Sequence, residues 1–325
     1  MSTRHRTRCA YCQKLNTHWE DTEQTEARCR RCRLPLATTD HKKCQSVDPD
    51  AYIHPLDRQA LQALRAIPGV DTILKKLIGF TSERMYRVLF MANSVKVGPD
   101  QYGHLDEKLR VVCDTLGMKK PELYVSVSQF GGLEINAFTT GTEDPFIVLY
   151  AGLVERLSDI ELLAVLAHEM GHIHCQHLLY KTAANTLIYL LASTLGRTPA
   201  GALLNTIGLP IRIALIMWSH KAELSCDRTA MLVVQDREVV MNALIKISGG
   251  VLNNELNLDA YLEQAREFDR NYEEGFLDKM WTLLAAAQSS HPFPVWRISE
   301  ILKWTEDDSR KGYPAISAQD GIIRA

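Results

Sequence analysis

The chain has 325 residues, of which 46% are hydrophobic and 23% are charged, and its formal net charge is −2. These values are ordinary for a globular protein, and the length gives room for one large domain and one small module. The sequence contains no internal repeat and no low-complexity tract, which excludes repeat proteins and compositionally biased chains.

The first feature along the chain is a pair of Cys-x-x-Cys knuckles, Cys9 with Cys12 and Cys29 with Cys32, with sixteen residues between them. Each knuckle can supply two thiolates to one tetrahedral ion, so the spacing predicts a structural zinc site. A segment of this length buries little core, and a bound metal can replace that missing stabilisation. We therefore predict a zinc ribbon over residues 1–48, although neither knuckle is followed by the usual glycine.

The same segment is basic, with 10 Lys and Arg against 5 Asp and Glu through residue 44, so the remainder of the chain carries about −7. Such a surface could bind nucleic acid or an acidic protein. The segment offers only Tyr11 and Trp19 as obvious stacking rings, which favours a protein partner. A linker rich in proline and aspartate is predicted over residues 42–55, before a second domain over 49–325.

The start of the chain is basic and no apolar stretch follows it, so we expect no secretory signal. Four of the eight cysteines lie in the knuckles, which suits a reducing compartment better than a disulfide scaffold. We expect Cys113, Cys175 and Cys226 to be buried as small hydrophobic residues. The predicted location is the cytoplasm.

A second metal motif lies at His168 to His172. Ser158 to Glu161 is typical of a capping box, and an apolar helical pattern follows it, so the motif falls inside a helix. Residues four apart share one face of a helix, which lets His168 and His172 bind one zinc ion. Glu169 then lies beside the metal and can take a proton from the attacking water.

A catalytic zinc site needs a third protein ligand. Glu223 and Asp227 lie one turn apart in another helical pattern, which suits one carboxylate on the metal and one oriented toward a ligand histidine. The same spacing also fits a charged helix face in contact with solvent, so the pattern alone leaves both interpretations open.

Several motifs together, in this order, resemble the HtpX-like and CAAX-prenyl-protease-type zinc metallopeptidases. They are Pro121 to Val125, Asn136 to Phe138, Leu157 to His172, Glu223 with Asp227, and His291-Pro292. The resemblance covers roughly residues 50–305. It implies an α+β gluzincin fold, a mostly helical zincin-like domain with a small mixed sheet.

The resemblance also implies roles for individual residues. His168, His172 and Glu223 would hold the catalytic zinc, Asp227 would support a ligand histidine, and Glu169 would be the general base. His291 could donate to the oxyanion as it forms, or it could be a loop residue with a satisfied hydrogen bond. Arg297 could take that donor role instead or fix His291, and we do not count it among the site residues.

Residues 133–140 form a short predicted strand with glycines on both sides, which is typical of a sheet edge. In related zincins an edge strand with Asn-Ala-Phe binds the substrate backbone as an added strand. By that analogy Asn136 would hold the peptide and the backbone of Ala137 would pair with it. The alternative is a core strand in which Phe138 packs and Asn136 caps a turn.

A helical insert is predicted over about residues 180–219, between the two zinc motifs. Its apolar runs are residues 183–195, about thirteen residues, and residues 202–218, which contain Asn205, Pro210 and Arg212. A spanning helix needs about 20 apolar residues, so neither run qualifies. The insert could cover the cleft as a lid, or contact a membrane surface peripherally through residues 183–218.

These patterns predict a zinc metalloendopeptidase with one catalytic and one structural zinc ion. Its substrates would be proteins or peptides, with misfolded or partner-delivered proteins as candidates. The alternative is a latent or non-proteolytic adaptor whose basic ribbon binds a protein or a nucleic acid.

Overall fold

The computed structural model describes residues 4–19, 27–36, 41, 46–70, 72, 74, 83–127, 135–183, 199–249, 257–274, 293–307, 309, 312 and 313. The strands are β1 Arg4–Arg8, β2 Leu15–Trp19, β3 Ser94–Lys96, β4 Glu122–Ser126, β5 Ala137–Thr140 and β6 Phe146–Tyr150. The helices are α1 Pro49–Tyr52, α2 Pro55–Arg65, α3 Glu83–Asn93, α4 Gly103–Leu116, α5 Ala151–Arg156, α6 Asp159–His174, α7 Pro199–Val234, α8 Arg237–Ile247, α9 Leu258–Glu274 and α10 Pro294–Thr305. Helices predominate, as expected for the α+β class.

The larger sheet has the strand order β3-β4-β6-β5. β4 and β6 run parallel, whereas the β3–β4 and β5–β6 pairs are antiparallel, so the sheet is mixed. Strand β6 is buried along nearly its whole length because it is interior to the sheet, which explains its unbroken run of apolar residues. β5 lies at the edge, the position expected for residues 133–140, of which 133 and 134 fall outside the described part.

Helix α6 follows β6 and α5 and begins at the predicted capping box. The Ser158 backbone N–H donates to the Glu161 carboxylate over 2.7 Å, and the Glu161 N–H reaches the Ser158 hydroxyl at 3.5 Å. Most of its residues are buried, so this helix forms the centre of the fold. Because most of this helix is buried, the packing around it limits the directions in which His168 and His172 can point.

Helices α6 and α7 approach each other closely at Gly171. A Cβ atom added to Gly171 would lie 2.7 Å from the Thr229 hydroxyl oxygen and 3.0 Å from the Cα of Cys226. Glycine at this position therefore permits the approach that brings α7 beside the metal motif of α6. Cys113, Cys175 and Cys226 are all buried, as expected.

The two knuckles pack against the helical domain. Cys9, Cys29 and Leu34 belong to the same hydrophobic cluster as Leu163 of α6. Lys108 of α4 is fully buried, and its ammonium donates to the Cys32 carbonyl (2.7 Å) and the Asp159 carboxylate (2.6 Å). The second knuckle is thereby tied to the first turn of α6. Helix α1 lies within the segment predicted to be a linker.

Only part of the expected insert is described. Residues 178–183 are helical, residues 184–198 lie outside the described part, and α7 then runs without a break from Pro199 through Glu223 to Val234. Among the helices that are described, none is both long enough and apolar enough to cross a membrane.

Candidate metal centres

The histidines of the α6 motif meet Glu223 of α7. His168 Nε2 lies 3.1 Å from one carboxylate oxygen of Glu223, and His172 Nε2 lies 3.3 Å from the other. Glu223 and His172 are buried, and His168 is nearly so. Two imidazoles and one carboxylate are a typical protein donor set for catalytic zinc. We call this group the helical centre.

Asp227 and Arg297 hold the outer side of His168. The Asp227 carboxylate lies 3.0 Å from His168 Nδ1, and it accepts from Arg297 Nε at 2.8 Å and from Arg297 Nη2 at 2.5 Å. Burial alone would raise the pKa of Asp227, but the Arg297 guanidinium and these hydrogen bonds hold it below its usual value. The carboxylate therefore stays charged and keeps the other ring nitrogen, Nε2, directed at Glu223.

Glu169 lies in the same buried region, tied to the edge strand. The hydroxyl of Thr139 on β5 is 2.6 Å from the Glu169 carboxylate and 3.1 Å from the Glu169 carbonyl oxygen. The glutamate is only 4% exposed, so Thr139 supplies a hydrogen bond that fixes its orientation toward the cleft.

Lys181 places a cation beside the helical centre. Its Nζ lies 2.6 Å from His172 Nε2 and 3.4 Å from a Glu223 oxygen. Burial opposes its charge, but the Glu223 and Glu169 carboxylates raise the pKa of Lys181 above its usual value. An ammonium group can only donate, so His172 Nε2 must be an unprotonated acceptor.

The charges and donor atoms of the helical centre suit a divalent cation. Three carboxylates, those of Glu169, Glu223 and Asp227, face two permanent cations, Lys181 and Arg297, which leaves a net negative charge. Cys226 is another potential ligand, since its sulfur and atoms of His168 and His172 lie within 4.8 Å of one another. Its Sγ lies 3.3 Å from Nδ1 of His172, however, and the two Nε2 atoms that could share an ion face Glu223 instead.

A cleft with a volume of about 50 Å³ lies over this centre. Its walls include Ala137 of β5 and the apolar side chains of Val240, Leu244 and Ile247 from α8 and its C-terminal end. The Asn136 side-chain oxygen accepts from the Ala137 N–H at 2.9 Å, so both groups predicted to bind substrate already contact each other. The alternative prediction, in which Asn136 caps a turn, accounts for this hydrogen bond.

The cysteine knuckles form a second candidate centre, the cysteine centre. Cys9 and Cys32 have sulfurs 3.7 Å apart, those of Cys12 and Cys29 are 3.5 Å apart, and all four lie within 4.8 Å of one another. A tetrahedron with Zn–S bonds of about 2.3 Å has edges of about 3.8 Å, so the cluster matches one ion. Hydrogen bonds from the Cys12 and Cys32 thiols lower the pKa of Cys9 to about 4.

Both knuckles use the same turn. The N–H of the residue after each knuckle, Gln13 or Arg33, donates to the carbonyl of the first cysteine, at 3.0 and 2.8 Å respectively. Gln13 and Arg33 have φ of 59° and 62°, the left-handed conformation that glycine usually supplies. The missing glycines therefore leave the fold of the turn unchanged, at a cost of about 1–2 kcal/mol per residue.

Several residues that contact the helical centre carry no signal in the sequence. The sequence suggests Arg297 only as an oxyanion donor or as a residue that fixes His291, because its pairing with Asp227 depends on the packing of α10, which no local motif specifies. No sequence pattern indicates Thr139, Lys181 or His177 as residues of this centre. His291 lies outside the described residues.

Comparison with known proteins identifies relatives of this chain. A family model described as peptidase family M48 matches residues 99–305. The chain is 38% identical over 267 residues to a plastoglobule-localized chloroplastic metallopeptidase 48 of Arabidopsis thaliana, covering 80% of this chain and 74% of that protein. It is 26% identical over 193 residues to a protease HtpX homolog of Methanosarcina mazei, covering 52% and 63%. It also resembles the crystal structure of S. mikatae Ste24p with a TM-score of 0.42 and 17% identity, over 79% of this chain and 68% of that one.

Proposed function

The chain belongs to peptidase family M48, and from that premise we propose that it is a zinc-dependent endopeptidase acting at the helical centre. Family membership makes it a metallopeptidase whose substrates are proteins or peptides. The observation that carries the proposal is the approach of two histidine Nε2 atoms to the two oxygens of Glu223, at 3.1 and 3.3 Å.

In this proposal His168, His172 and Glu223 hold the zinc ion. The chemistry that zinc supplies at such a site is Lewis acidity, which polarises the scissile carbonyl and activates water. Asp227, itself fixed by two hydrogen bonds from Arg297, keeps the proton of His168 on Nδ1 and leaves Nε2 available. Arg297 is thereby engaged with Asp227, which favours a positioning role over an oxyanion-donor role.

Glu169 is the proposed general base. Its carboxylate is buried at the base of the cleft and accepts from the Thr139 hydroxyl. It would take a proton from the attacking water and later deliver that proton to the leaving amine. Thr139 limits the rotation of the carboxylate, so the proton moves along a defined direction. His291 remains the proposed oxyanion donor.

The outer edge of β5, which pairs with no other described strand, is the proposed binding surface for the substrate backbone. Ala137 on this edge lines the cleft beside His168 and Glu169. A peptide added as an extra strand extends past both ends of the cleft, which favours cleavage within a chain over cleavage at its end. The apolar wall of Val240, Leu244 and Ile247 suits an apolar substrate side chain, as exposed in misfolded proteins.

The test is cleavage of an unfolded, fluorescently labelled protein by the zinc-loaded wild type and by Glu169→Gln. We expect the variant to keep both zinc ions and its melting temperature, because glutamine can still bond to Thr139. Its turnover should fall by at least about 100-fold, the usual contribution of a general base. Glu155→Gln, an exposed glutamate of α5, is the matched control and should cleave normally.

Near-normal cleavage by Glu169→Gln would contradict the assigned base. If neither protein cleaves while both hold two zinc ions, either the site is covered or an unfolded polypeptide is not its substrate. Deletion of residues 184–198, part of the predicted lid, from the wild type should then give cleavage if the insert covers the site. Continued inactivity of that deletion would favour the adaptor alternative.

We also propose that the basic ribbon docks an acidic protein segment. Arg30, Arg31 and Arg33 line an open groove against the N-terminal end of α4, although Arg31 already pairs with Glu107 at 2.6 Å. Binding of an acidic peptide that weakens with salt, and weakens in Arg30→Glu, would support this role. A nucleic acid that binds more tightly would contradict it.

Peripheral membrane contact through residues 183–218 is the proposed alternative to a purely cytoplasmic location. The name of the Arabidopsis relative places that protein at plastoglobules, which makes contact with a lipid surface a reasonable proposal for this chain. Co-flotation with liposomes would support it, and recovery only in the unbound fraction would favour the cytoplasm.

A further inference from the structure

His177 follows the end of α6 and contacts the second histidine of the metal motif. Both rings are fully buried, and their Nδ1 atoms lie 3.3 Å apart. The backbone N–H of His177 donates to the backbone carbonyl of His172 at 2.9 Å, and Gln176, the residue before His177, has a φ of 59°. The chain thus reverses sharply after α6 and returns His177 to the outer side of His172.

The contacts of His172 assign its proton. Lys181 Nζ lies 2.6 Å from His172 Nε2, and an ammonium group can only donate. Nε2 is therefore unprotonated, and a neutral imidazole must carry its proton on Nδ1. That proton points at His177 Nδ1, which must then be the acceptor.

The same reasoning assigns the proton of His177. With Nδ1 acting as an acceptor, a neutral His177 carries its proton on Nε2. His177 Nε2 lies 2.9 Å from the carboxylate of Asp57 on α2. Asp57 thus accepts a hydrogen bond from the far side of the ring, and the three side chains form one consistent chain of donors and acceptors.

Asp57 is the fixed, charged end of this series of hydrogen bonds. It is 1% exposed and also accepts from Trp218 Nε1 at 3.1 Å and from the Ser225 hydroxyl at 2.5 Å. Both of these donors lie on α7, the helix that carries Glu223. A buried carboxylate with three donors has little freedom to move, so it holds the His177 ring in one orientation.

We propose that Asp57 and His177 are positioning residues for His172. On the first ligand, Asp227 contacts His168 directly, whereas on the second ligand Asp57 acts through an intervening imidazole. Both arrangements place the proton on Nδ1 and leave Nε2 unprotonated, and an ion bound at His172 Nε2 would displace the Lys181 ammonium that now donates to it. This inference rests on the proposed function, since it assigns a purpose to the orientation of His172 as a zinc ligand.

Cys226 is the competing partner of His172. Its sulfur lies 3.3 Å from His172 Nδ1 and 3.8 Å from His177 Nδ1. A thiol is a weak acceptor, whereas an imidazole nitrogen is a strong one. The Nδ1 proton of His172 therefore goes to His177, and removal of the thiol should leave the chain of hydrogen bonds intact.

The first experiment measures zinc affinity at the helical centre in the full chain, with the cysteine centre loaded, by competition against a chromogenic chelator. His177→Leu should weaken binding by 10- to 100-fold, the usual effect of losing an outer hydrogen-bond partner. His177→Gln can accept from His172 and donate to Asp57, so it should recover most of the affinity. Cys226→Ala is the matched control and should bind within threefold of wild type.

Asp57→Asn covers the case in which His177→Leu does not fold. Asparagine still accepts from His177 but lacks the charge, so we expect a loss of about three- to tenfold. Wild-type affinity in Asp57→Asn would overturn the proposal, as would a loss of affinity in Cys226→Ala as large as the loss in His177→Leu. So would wild-type affinity in a folded His177→Leu.

A second measurement shows directly which ring nitrogens carry the protons. Long-range ¹H–¹⁵N correlation spectra of the zinc-loaded protein should show His172 protonated on Nδ1 and His177 protonated on Nε2. A proton on Nδ1 of His177 would overturn the proposal whatever the affinities are. Failure of the wild type to bind zinc at the helical centre would instead contradict the proposed function, so the two failures are distinguishable.

Discussion

The two candidate metal centres differ in how far apart in the sequence their residues lie. The four sulfurs of the cysteine centre come from residues 9–32, in two turns with the same backbone hydrogen bonds. The helical centre joins His168 to Glu223, 55 residues away, and to Arg297, 129 residues away. The cysteine centre is therefore local and the helical centre is tertiary.

The difference also concerns what holds each set of ligands in place. In the cysteine centre the sulfurs contact one another and Asn16 donates to the Cys29 sulfur, but four thiolates repel each other without an ion, so the ion itself should provide much of the order. In the helical centre each histidine has an outer partner anchored in the core. We therefore expect the helical centre to keep its shape without metal and the cysteine centre to lose it.

The largest expected effect is that of Glu223→Ala on the helical centre. Loss of the third ligand should reduce the metal content from two ions to one and lower cleavage by at least about 1,000-fold, since turnover requires the ion. Metal analysis after gel filtration, together with the cleavage assay, measures both. Glu238→Ala removes an exposed glutamate of α8 and should retain two ions; two ions in Glu223→Ala would exclude Glu223 as a ligand.

The next largest effect is expected at the cysteine centre, with Cys29→Ser and Cys32→Ser combined. Loss of two thiolates should release the structural ion and lower the free energy of unfolding by about 3 kcal/mol, because binding of that ion is part of folding. Metal analysis should still find one ion, and cleavage should stay within tenfold of wild type. Amide exchange should rise over residues 4–36.

A loss of both ions in that double variant would contradict the independence of the two centres. Lys108 is the contact that could transmit such a loss, because it bonds both the Cys32 carbonyl and Asp159 at the start of α6. Faster amide exchange confined to the first turn of α6 would show that the contact matters locally but does not control the helical centre.

Gly171→Ala tests the tertiary character of the helical centre with a smaller effect. The added methyl would lie 3.0 Å from the Cα of Cys226, and a backbone atom cannot rotate away. We expect α6 and α7 to separate slightly, with a loss of about 1–3 kcal/mol in stability. Weaker zinc binding should accompany it, since His172 is the next residue.

The matched control is Gly98→Ala, where no atom lies within 4 Å of the added methyl. It should change stability by less than about 0.5 kcal/mol, as a surface substitution usually does. Urea denaturation and chelator competition measure both variants. Equal stability of the two would show that the close approach of α6 and α7 is not needed.

What could be predicted from the sequence follows the same division between local features and tertiary contacts. The capping box at Ser158, the helix carrying His168 and His172, and the edge position of β5 rest on local periodicity and turn signals, and the structure has all three. The α+β class and the family resemblance were also confirmed. The spacing of Glu223 and Asp227 alone did not distinguish a metal site from a solvated helix face, because spacing contains no information about the facing helix.

Local sequence patterns could not predict the residues that support the two centres, for the same reason. Lys108 reads as an ordinary surface lysine of an amphipathic helix, yet it is fully buried because a carbonyl and a carboxylate from two other segments meet its ammonium. Gln13 and Arg33 gave no glycine signal, yet their turns form. In each case contacts distant in sequence outweigh the local preference.

The smallest expected effect concerns pH at the contact between the ribbon and α4. Burial, followed by the charges of Lys108 and Arg33, lowers the pKa of His104 to about 4. Above about pH 6.5 the histidine is neutral in both the folded and the unfolded chain and has no effect on stability. Between about pH 6.5 and 4 only the unfolded chain takes up the proton, so stability falls as the pH falls, and below 4 the loss is complete.

The loss should stay under about 1 kcal/mol at pH 5, because His104 is partly exposed and solvent screens its interactions. His104→Gln removes this titration. The loss of stability between pH 7.5 and pH 5, measured by urea denaturation, should therefore be smaller in the variant than in the wild type. Since both proteins keep the same four cysteines, protonation of the metal-binding thiolates contributes equally to both and cancels in the difference. An identical loss in the two proteins would show that His104 does not contribute and that the acid sensitivity comes from other groups.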